Sequence, residues 1–319
     1  MFRCGIALVL VLAAAIAVAQ GFPSKPVRIL VPFGPGGVAD ITARLVAQQM
    51  SAPLGQPVIV ENRPSAGGVV AASAVAKAQP DGHTLLFITN GSAVSASLFK
   101  SLPYDTARDF APISTIGFFD LVFLARPGAP VDSIGSLLAR AKAHPGKLLV
   151  ATINPGSTQH LAAELLKMTA AIDVDIVPFR NTPEVIGALR AGIVDAGVEI
   201  LAPVLPQIRG GVLRPLAIGA SRRSAILPGV PTVGEAGVPG YEAASWNGLA
   251  APAGTPAAII ERLNREVNAA LAAPEVRRRL HGLGIEARAG TPKALRDQLE
   301  ADIEKWKRVI ERANIPRQG

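Results

Sequence analysis

One pattern recurs along this chain at irregular spacing and restricts what it can become: an apolar run, a loop of glycine, asparagine, serine and proline, then a helix of small residues. "VRILVPFGPGGVADITARLVAQQM" begins it at Val27, and "VIVENRPSAGGVVAASAVAKA" (58–78), "TLLFITNGSAVSASLF" (84–99) and "LLVATINPGSTQHLAAELLKM" (148–168) repeat it. The runs are apolar without alternation, which suits strands covered on both faces, and strands separated by helical patterns suit a parallel sheet. An α/β fold follows. In such sheets a ligand lies beyond the carboxyl ends of the strands, so the four loops are expected to converge on one pocket.

Two extended segments depart from this plan: "FFDLVFLARPG" (118–128) and "WNGLAAPAGTP" (246–256). If they cross between domains in opposite directions, residues 124–244 form an inserted domain, and residues 20–123 with 245–319 form the other. Hinges are then expected near Ala125 and Gly248. The tail reads as packing helices. Thr255 is placed as a cap with Pro256 in the first turn, Gly282 and Gly284 close a second helix, and Leu295, Leu299, Ile303, Trp306 and Ile310 share one stripe of a third.

Residues 1–19 read as a signal peptide. Arg3 is their only charge, Ile6 to Val18 are apolar, and Ala17-Val18-Ala19 offers small residues at a cleavage site. The apolar run falls short of the about 20 residues that a membrane span needs, so an exported, periplasmic protein is expected. The single cysteine, Cys4, leaves with the leader, which excludes disulfides and thiolate metal sites from the mature chain. With 49% hydrophobic residues, the remaining about 300 can fill one large or two medium cores. The formal net charge of +8 is spread along the chain, apart from Arg277-Arg278-Arg279, with no aromatic-interleaved basic motif. Nucleic acid is therefore not an expected partner, and the charge reads as a solvated surface.

No catalytic set stands out. The first loop lacks the Gly-Lys-Ser/Thr of a phosphate loop, and Gly34, Gly36 and Gly37 do not fit the dinucleotide pattern. His83, His144, His160 and His281 are far apart in sequence, so neither a metal site nor a cofactor is expected. "NPGSTQH" sets Ser157 three places before His160 but lacks the Gly-x-Ser-x-Gly elbow of a hydrolase. Two readings stay open for it: Ser157 or Thr158 caps the next helix, or the same residues touch a ligand.

The loops offer backbone N–H groups, Asn62, Asn90, Ser92, Asn154, Ser157 and Thr158, with Arg63 as nearly the only cation. A small carboxylate can be held this way, since each charge-assisted hydrogen bond contributes on the order of 1.5–3 kcal/mol and a helix N-terminus roughly 0.3–1 kcal/mol. A polyphosphate would call for more positive charge. Asp40 is out of place beside an anion; it reads as a cap for a helix from Ile41, or as the holder of a bridging water or a ligand amine. Arg63 reads as a partner for a second negative group or as a surface residue.

Together, "PSKPVRILVPFGPGGVADITARLVAQQM", "VIVENRPSAGGVVAASAVAKAQPDGHTLL", "YDTARDFAPISTI", "GSTQHLAAELL", "ILPGVPTVGEAGVPGYE" and "WNGLAAPAGTP" resemble the Bug family, the extracytoplasmic solute receptors of tripartite tricarboxylate transporters. The resemblance implies a type II periplasmic-binding-protein fold, with two α/β domains closing on a small organic acid. It also implies the site. Gly36, Gly37, Val38 and Asp40 in "PGGVAD" and Ala66, Gly67 and Gly68 in "SAGG" would grip one carboxylate, partly through waters, with Asn90 and Ser92 nearby. Ser157, Thr158 and His160 would come from the inserted domain, and Asp195 follows an acidic position of the family. The chain departs from the family pattern at Asn154, Pro155, Glu199 and Gly219, near the expected second-domain pocket.

The expectation is thus a monomeric, non-enzymatic receptor that captures a small carboxylate and delivers it to membrane permease subunits. The alternatives are a carboxylate sensor that reports to a signalling partner and, more remotely, a secreted hydrolase using Ser157.

Overall fold

The computed structural model describes residues 21–319, and the leader expected at 1–19 lies outside them. Strand β1 (Val27–Val31) pairs in parallel with β2 (Val58–Asn62) on one side and β3 (Thr84–Thr89) on the other. Each runs into a helix: α1 (Val38–Leu54), α2 (Val69–Ala76) after a 3-10 turn at Ala66–Gly68, and α3 (Asn90–Leu98). The largely apolar runs have a direct cause. Ile29 and Val31 pack with Val46 and Met50 of α1, while Leu30 between them packs with Ala71 and Val75 of α2, so both faces of the sheet are covered.

The 16-residue strand β4 (Phe110–Ala125) carries the chain into the second half. There follow α4 (Ile134–Ala143), β5 (Leu149–Ile153), α5 (Thr158–Ala170), β6 (Asp175–Phe179), α6 (Thr182–Ala191), β7 (Ala196–Ile200), α7 (Leu201–Arg209) and β8 (Arg214–Ile218). Strand β5 lies parallel between β6 and β7, again with apolar residues on both faces. The return strand β9 (Ala244–Pro252) runs antiparallel to both β3 and β4. All-parallel pairing therefore stops at the two crossing strands, of which β4 leaves the first half and β9 returns to it.

Strand β4 pairs with β9 from Phe110 to Asp120 and with β7 and β8 from Leu121 to Ala125. The exchange of partners falls between Asp120 and Leu121. On the way back, the Ala243 N–H still donates to Gly219 O in the second half, and Ala244 already faces Asp120. Ala125 and Gly248, the expected hinge positions, each lie inside a ladder, opposite Arg214 and Ile88 respectively.

The tail packs on the first half as α8 (Ala257–Ala272), α9 (Pro274–Gly282), the short β10 (Ile285–Ala287) beside β4, and α10 (Pro292–Arg312). Thr255 does not cap α8; its hydroxyl donates to Pro252 O, and Pro256 takes the cap position. Thr291 does cap α10, accepting from Ala294 N at 3.1 Å. The buried stripe of α10 holds Leu295, Leu299, Trp306 and Ile310, and with them a charged residue, Asp302. Among the described residues, no helix is long and apolar enough to cross a membrane.

Candidate ligand-binding site

Helix α1 begins at Val38 with Gly37 at its cap and no capping side chain. The N–H groups of Val38, Ala39 and Asp40 therefore have no intrahelical acceptor. Asp40 is not the cap of a helix from Ile41, nor does it border the cavity described below. It is buried in the first turn, where its carboxylate accepts from Gly36 N at 2.9 Å, Arg44 Nε at 3.0 Å and Asn62 Nδ2 at 2.9 Å. Asn62 Nδ2 also donates to Phe33 O at 3.0 Å, so the pair ties the first loop to the end of β2. Burial pulls the Asp40 carboxyl upward, but the hydrogen bonds from Arg44, Gly36 and Asn62 outweigh it and hold the group below the usual carboxylate range. Arg63 pairs with Glu61 at 3.2 Å and stays off the cavity wall.

The second loop turns through Gly67 at φ +61, where an added Cβ would come within 2.4 Å of the Phe99 ring and 2.8 Å of Ser95 Oγ. Ser95 Oγ in turn donates to Gly67 O at 3.0 Å, fixing the turn against α3. At the start of α3, Ser92 Oγ accepts from Thr89 N in a reciprocal cap. Asn90 is fully buried and donates from Nδ2 to Asp302 Oδ2 at 3.0 Å. Asp302 also accepts from Trp246 Nε1 and from Gln298 Nε2 at 3.0 Å, and Lys305 Nζ lies 2.6 Å from its other oxygen. Asn90 is thus an internal brace. It still reaches the second half, because its Oδ1 accepts from Thr158 Oγ1 at 3.4 Å.

In the second half, Ser157 caps α5: its Oγ accepts from His160 N at 3.1 Å and donates to Ile153 O at 2.7 Å. His160 Nδ1 accepts from Gly156 N at 3.4 Å, and burial, with help from Lys167, pushes the imidazole below its usual value. Its hydrogen bond goes to the backbone while Ser157 bonds to Ile153, an arrangement that gives the serine no base. Gln159 Nε2 and Thr182 Oγ1 donate to one oxygen of Glu199 at 3.2 and 3.1 Å; the other oxygen is buried without a partner. Burial raises the Glu199 carboxyl above its ordinary range against the pull of those donors. Asp195 lies at the far end of β5 and accepts from Leu149 N at 2.9 Å, a link between strands. Gly219 has a local reason for lacking a side chain, since a Cβ there would meet Ala243 O at 2.6 Å.

A cavity of about 630 Å³ opens between the halves. Of the residues expected at the site, Gly37, Val38, Ala66, Gly67, Ser157 and Thr158 border it; Gly36, Asp40, Gly68, Asn90, Ser92, His160 and Asp195 do not. Apart from Asp195, which links strands at the far end of β5, these latter residues shape, brace or cap the loops that do. Asn154 and Pro155 also border it, as do Phe33, Leu98, Phe99, Phe119, Ile200 and Trp246. Reasoning from the loops missed Asn247 and Gln159. Asn247 is buried on β9, borders the cavity, and has neither amide atom hydrogen-bonded to protein. Its one sequence signal was an asparagine inside an apolar strand. A second groove, at the opposite ends of β1 and β3, holds Lys25 and Arg28, which are paired with Asp81 and Glu61.

Two α/β halves joined by crossing strands, with glycine loops and helix starts facing a cleft between them, define a solute-binding protein of the periplasmic type. Residues 42–315 match the model of the tripartite tricarboxylate transporter family receptor, TctC. The chain belongs to this family, also known as Bug. BugT of Bordetella pertussis is 37% identical over 294 residues, covering 92% of this chain and 90% of that protein. A UPF0065 protein from the tcbD-tcbE intergenic region of Pseudomonas sp. strain P51 is 37% identical over 292 residues, 91% and 87% of the two chains. A Rhodopseudomonas palustris protein solved with adipate superposes with a TM-score of 0.75 at 34% identity, covering 92% of this chain and 99% of that one. MatC from the same organism, with bound malate, gives 0.73 at 35% identity, covering 91% and 100%.

Proposed function

We propose that this chain is a periplasmic receptor that captures a small organic carboxylate between its halves and delivers it to a tripartite tricarboxylate transporter permease. One observation carries the reading: two helix starts, at Val38 and Thr158, border the same cavity from opposite halves. Backbone N–H groups and the helix dipole favour an anion at such ends. Gly37, Val38, Ala66 and Gly67 would hold the carboxylate from the first half, and Ser157 and Thr158 would close on the ligand from the second. The adipate and malate bound to the two related proteins support this ligand chemistry.

Residues 20–123 with 245–319 would move as one body and 124–244 as the other. Flexing would fall where β4 exchanges partners and where Ala243 leads into β9; the change of pairing there supports this reading. A ligand that touches both bodies favours the closed state by its extra contacts there, and no covalent step is needed. The receptor would act as an exported monomer without a cofactor.

The test is an uptake assay in a strain lacking this receptor, using the acid that mass spectrometry finds released from the denatured purified protein. Loss of uptake, restored by the wild-type gene, is the expected result. Normal uptake in the deletion strain, with altered transcription in response to the acid, would replace delivery with sensing.

A further inference from the structure

We propose that the ligand is a monocarboxylic acid with an apolar body, and that Asn247 in the cavity wall engages a hydroxyl group on that body; this rests on the receptor reading above. The first support is an asymmetry of donors. On the first half, the N–H groups of Val38 and Ala39 open α1 without intrahelical acceptors, beside the Ala66–Gly67 turn. On the second half the side chains that border the cavity already donate within the protein: Ser157 Oγ to Ile153 O, Thr158 Oγ1 to Asn90, Asn154 Nδ2 to Arg180 O, and Gln159 Nε2 to Glu199. Pro155 has no N–H. The N–H groups of Thr158 and Gln159 remain; the acid near them, Glu199, is met only by neutral donors, whereas Asp40 behind the first helix start is paired with Arg44.

The second support is the wall itself. Among the described residues no lysine or arginine borders the cavity. Lys305, which lies over the Trp246-bonded Asp302, is held in its ion pair with that residue. Its lining includes Phe33, Leu98, Phe99, Phe119, Ile200 and Trp246, with only uncharged polar residues among them. A second carboxylate laid against the apolar part would lose hydration with neither a cation nor a free N–H group to replace it, whereas an aromatic or aliphatic body gains by contact.

Asn247 supplies the third. It is buried in β9, directly opposite Thr89 and Gly117, with Nδ2 and Oδ1 both unpartnered. A buried amide in that condition is costly, and a ligand group that accepts and donates at once relieves it. A hydroxyl does both.

The experiment is calorimetric titration of the unfolded, dialysed and refolded mature protein with benzoate, 4-hydroxybenzoate, 3-hydroxybenzoate, hexanoate, adipate, malate and citrate. The expected result is that a monocarboxylate binds at least tenfold tighter than adipate, malate and citrate. One hydroxybenzoate should exceed benzoate by at least tenfold. Asn247→Leu should bring that ratio close to one while its melting temperature stays at or above that of the wild type. Asn247→Asp, which puts a charge in the same place, should weaken every acid. Tighter binding of adipate, malate or citrate would overturn the inference and leave the receptor reading intact. Binding of none of the acids by the refolded protein would overturn both. An unchanged hydroxyl ratio in Asn247→Leu would remove Asn247 from recognition.

Discussion

Thr158 Oγ1 donates to Asn90 Oδ1 across 3.4 Å, and that hydrogen bond joins the first turn of α5 in the second half to the start of α3 in the first. Asn90 is held from behind by Asp302 on α10, so the C-terminal helix braces the meeting point of the two halves. The structure therefore describes the halves in mutual contact, with the ligand loops on either side of it.

Thr158→Val keeps the shape of this side chain and removes the cross-domain hydrogen bond. Such a bond contributes about 1 kcal/mol net, so the dissociation constant for the best ligand should rise about fivefold. Calorimetry checks this. An unchanged constant would mean that closure does not use Thr158.

Asp302→Asn strikes the brace directly. The variant leaves Lys305 without its partner and weakens acceptance from Trp246, Asn90 and Gln298. Breaking a buried pair of this kind costs about 3 kcal/mol. Urea unfolding should show a loss of that order; a loss below about 0.5 kcal/mol, the scatter of ordinary surface substitutions, would contradict the account.

Gly67→Ala should damage binding more than it damages folding. The new Cβ has no room beside Phe99 and Ser95, and the left-handed backbone at φ +61 adds strain, so the turn must shift. A stability loss of about 1–3 kcal/mol is expected, with ligand affinity reduced at least tenfold. Wild-type affinity in a stably folded variant would show that the second loop does not grip the ligand.

Glu199 gives a pH signature of known sign. Its carboxyl is raised in the folded protein above the ordinary 4.5, so the native state binds the proton more tightly than the unfolded chain. The corresponding stability is present below the unfolded value and is lost as pH rises through the folded value. Glu199→Gln should therefore reduce the fall in melting temperature between pH 4.5 and pH 7. Asp40 works in the other direction. Its lowered carboxyl stabilises the fold above about pH 4 and withdraws that contribution on further acidification. Identical pH profiles for wild type and Glu199→Gln would contradict the assignment at Glu199.

Much of the architecture was legible because the runs at Val27, Thr84 and Leu149 are mostly apolar without polar alternation, which suits a sheet covered on both faces. Strand β4 was less so, because an apolar strand reads alike whichever neighbour it has, and in "FFDLVFLA" the lone charge of Asp120 does not by itself announce the exchange beside it. At the site, the loops were visible and the roles of single polar residues were not. Asp40 reaches back to Gly36 from inside the helix, at a spacing that a cap would share. Asp302 sits between Leu299 and Trp306 on the apolar stripe of α10, a placement that could have marked it as a buried, partnered acid. Asn247 needed the tertiary fold, since only there does its amide border the cleft.

The most direct measurement of the central claim is a thermal shift of the ligand-stripped mature protein against a panel of small carboxylic acids, with Gly67→Ala in parallel. A ligand at about 100 times its dissociation constant stabilises the folded state by about 2.7 kcal/mol, which raises the melting temperature by about 5 °C in a chain of this size. The account predicts such a shift for at least one acid, and its marked reduction in Gly67→Ala. No shift for any acid with a folded wild-type protein, or an equal shift in the variant, would contradict a carboxylate held by these loops.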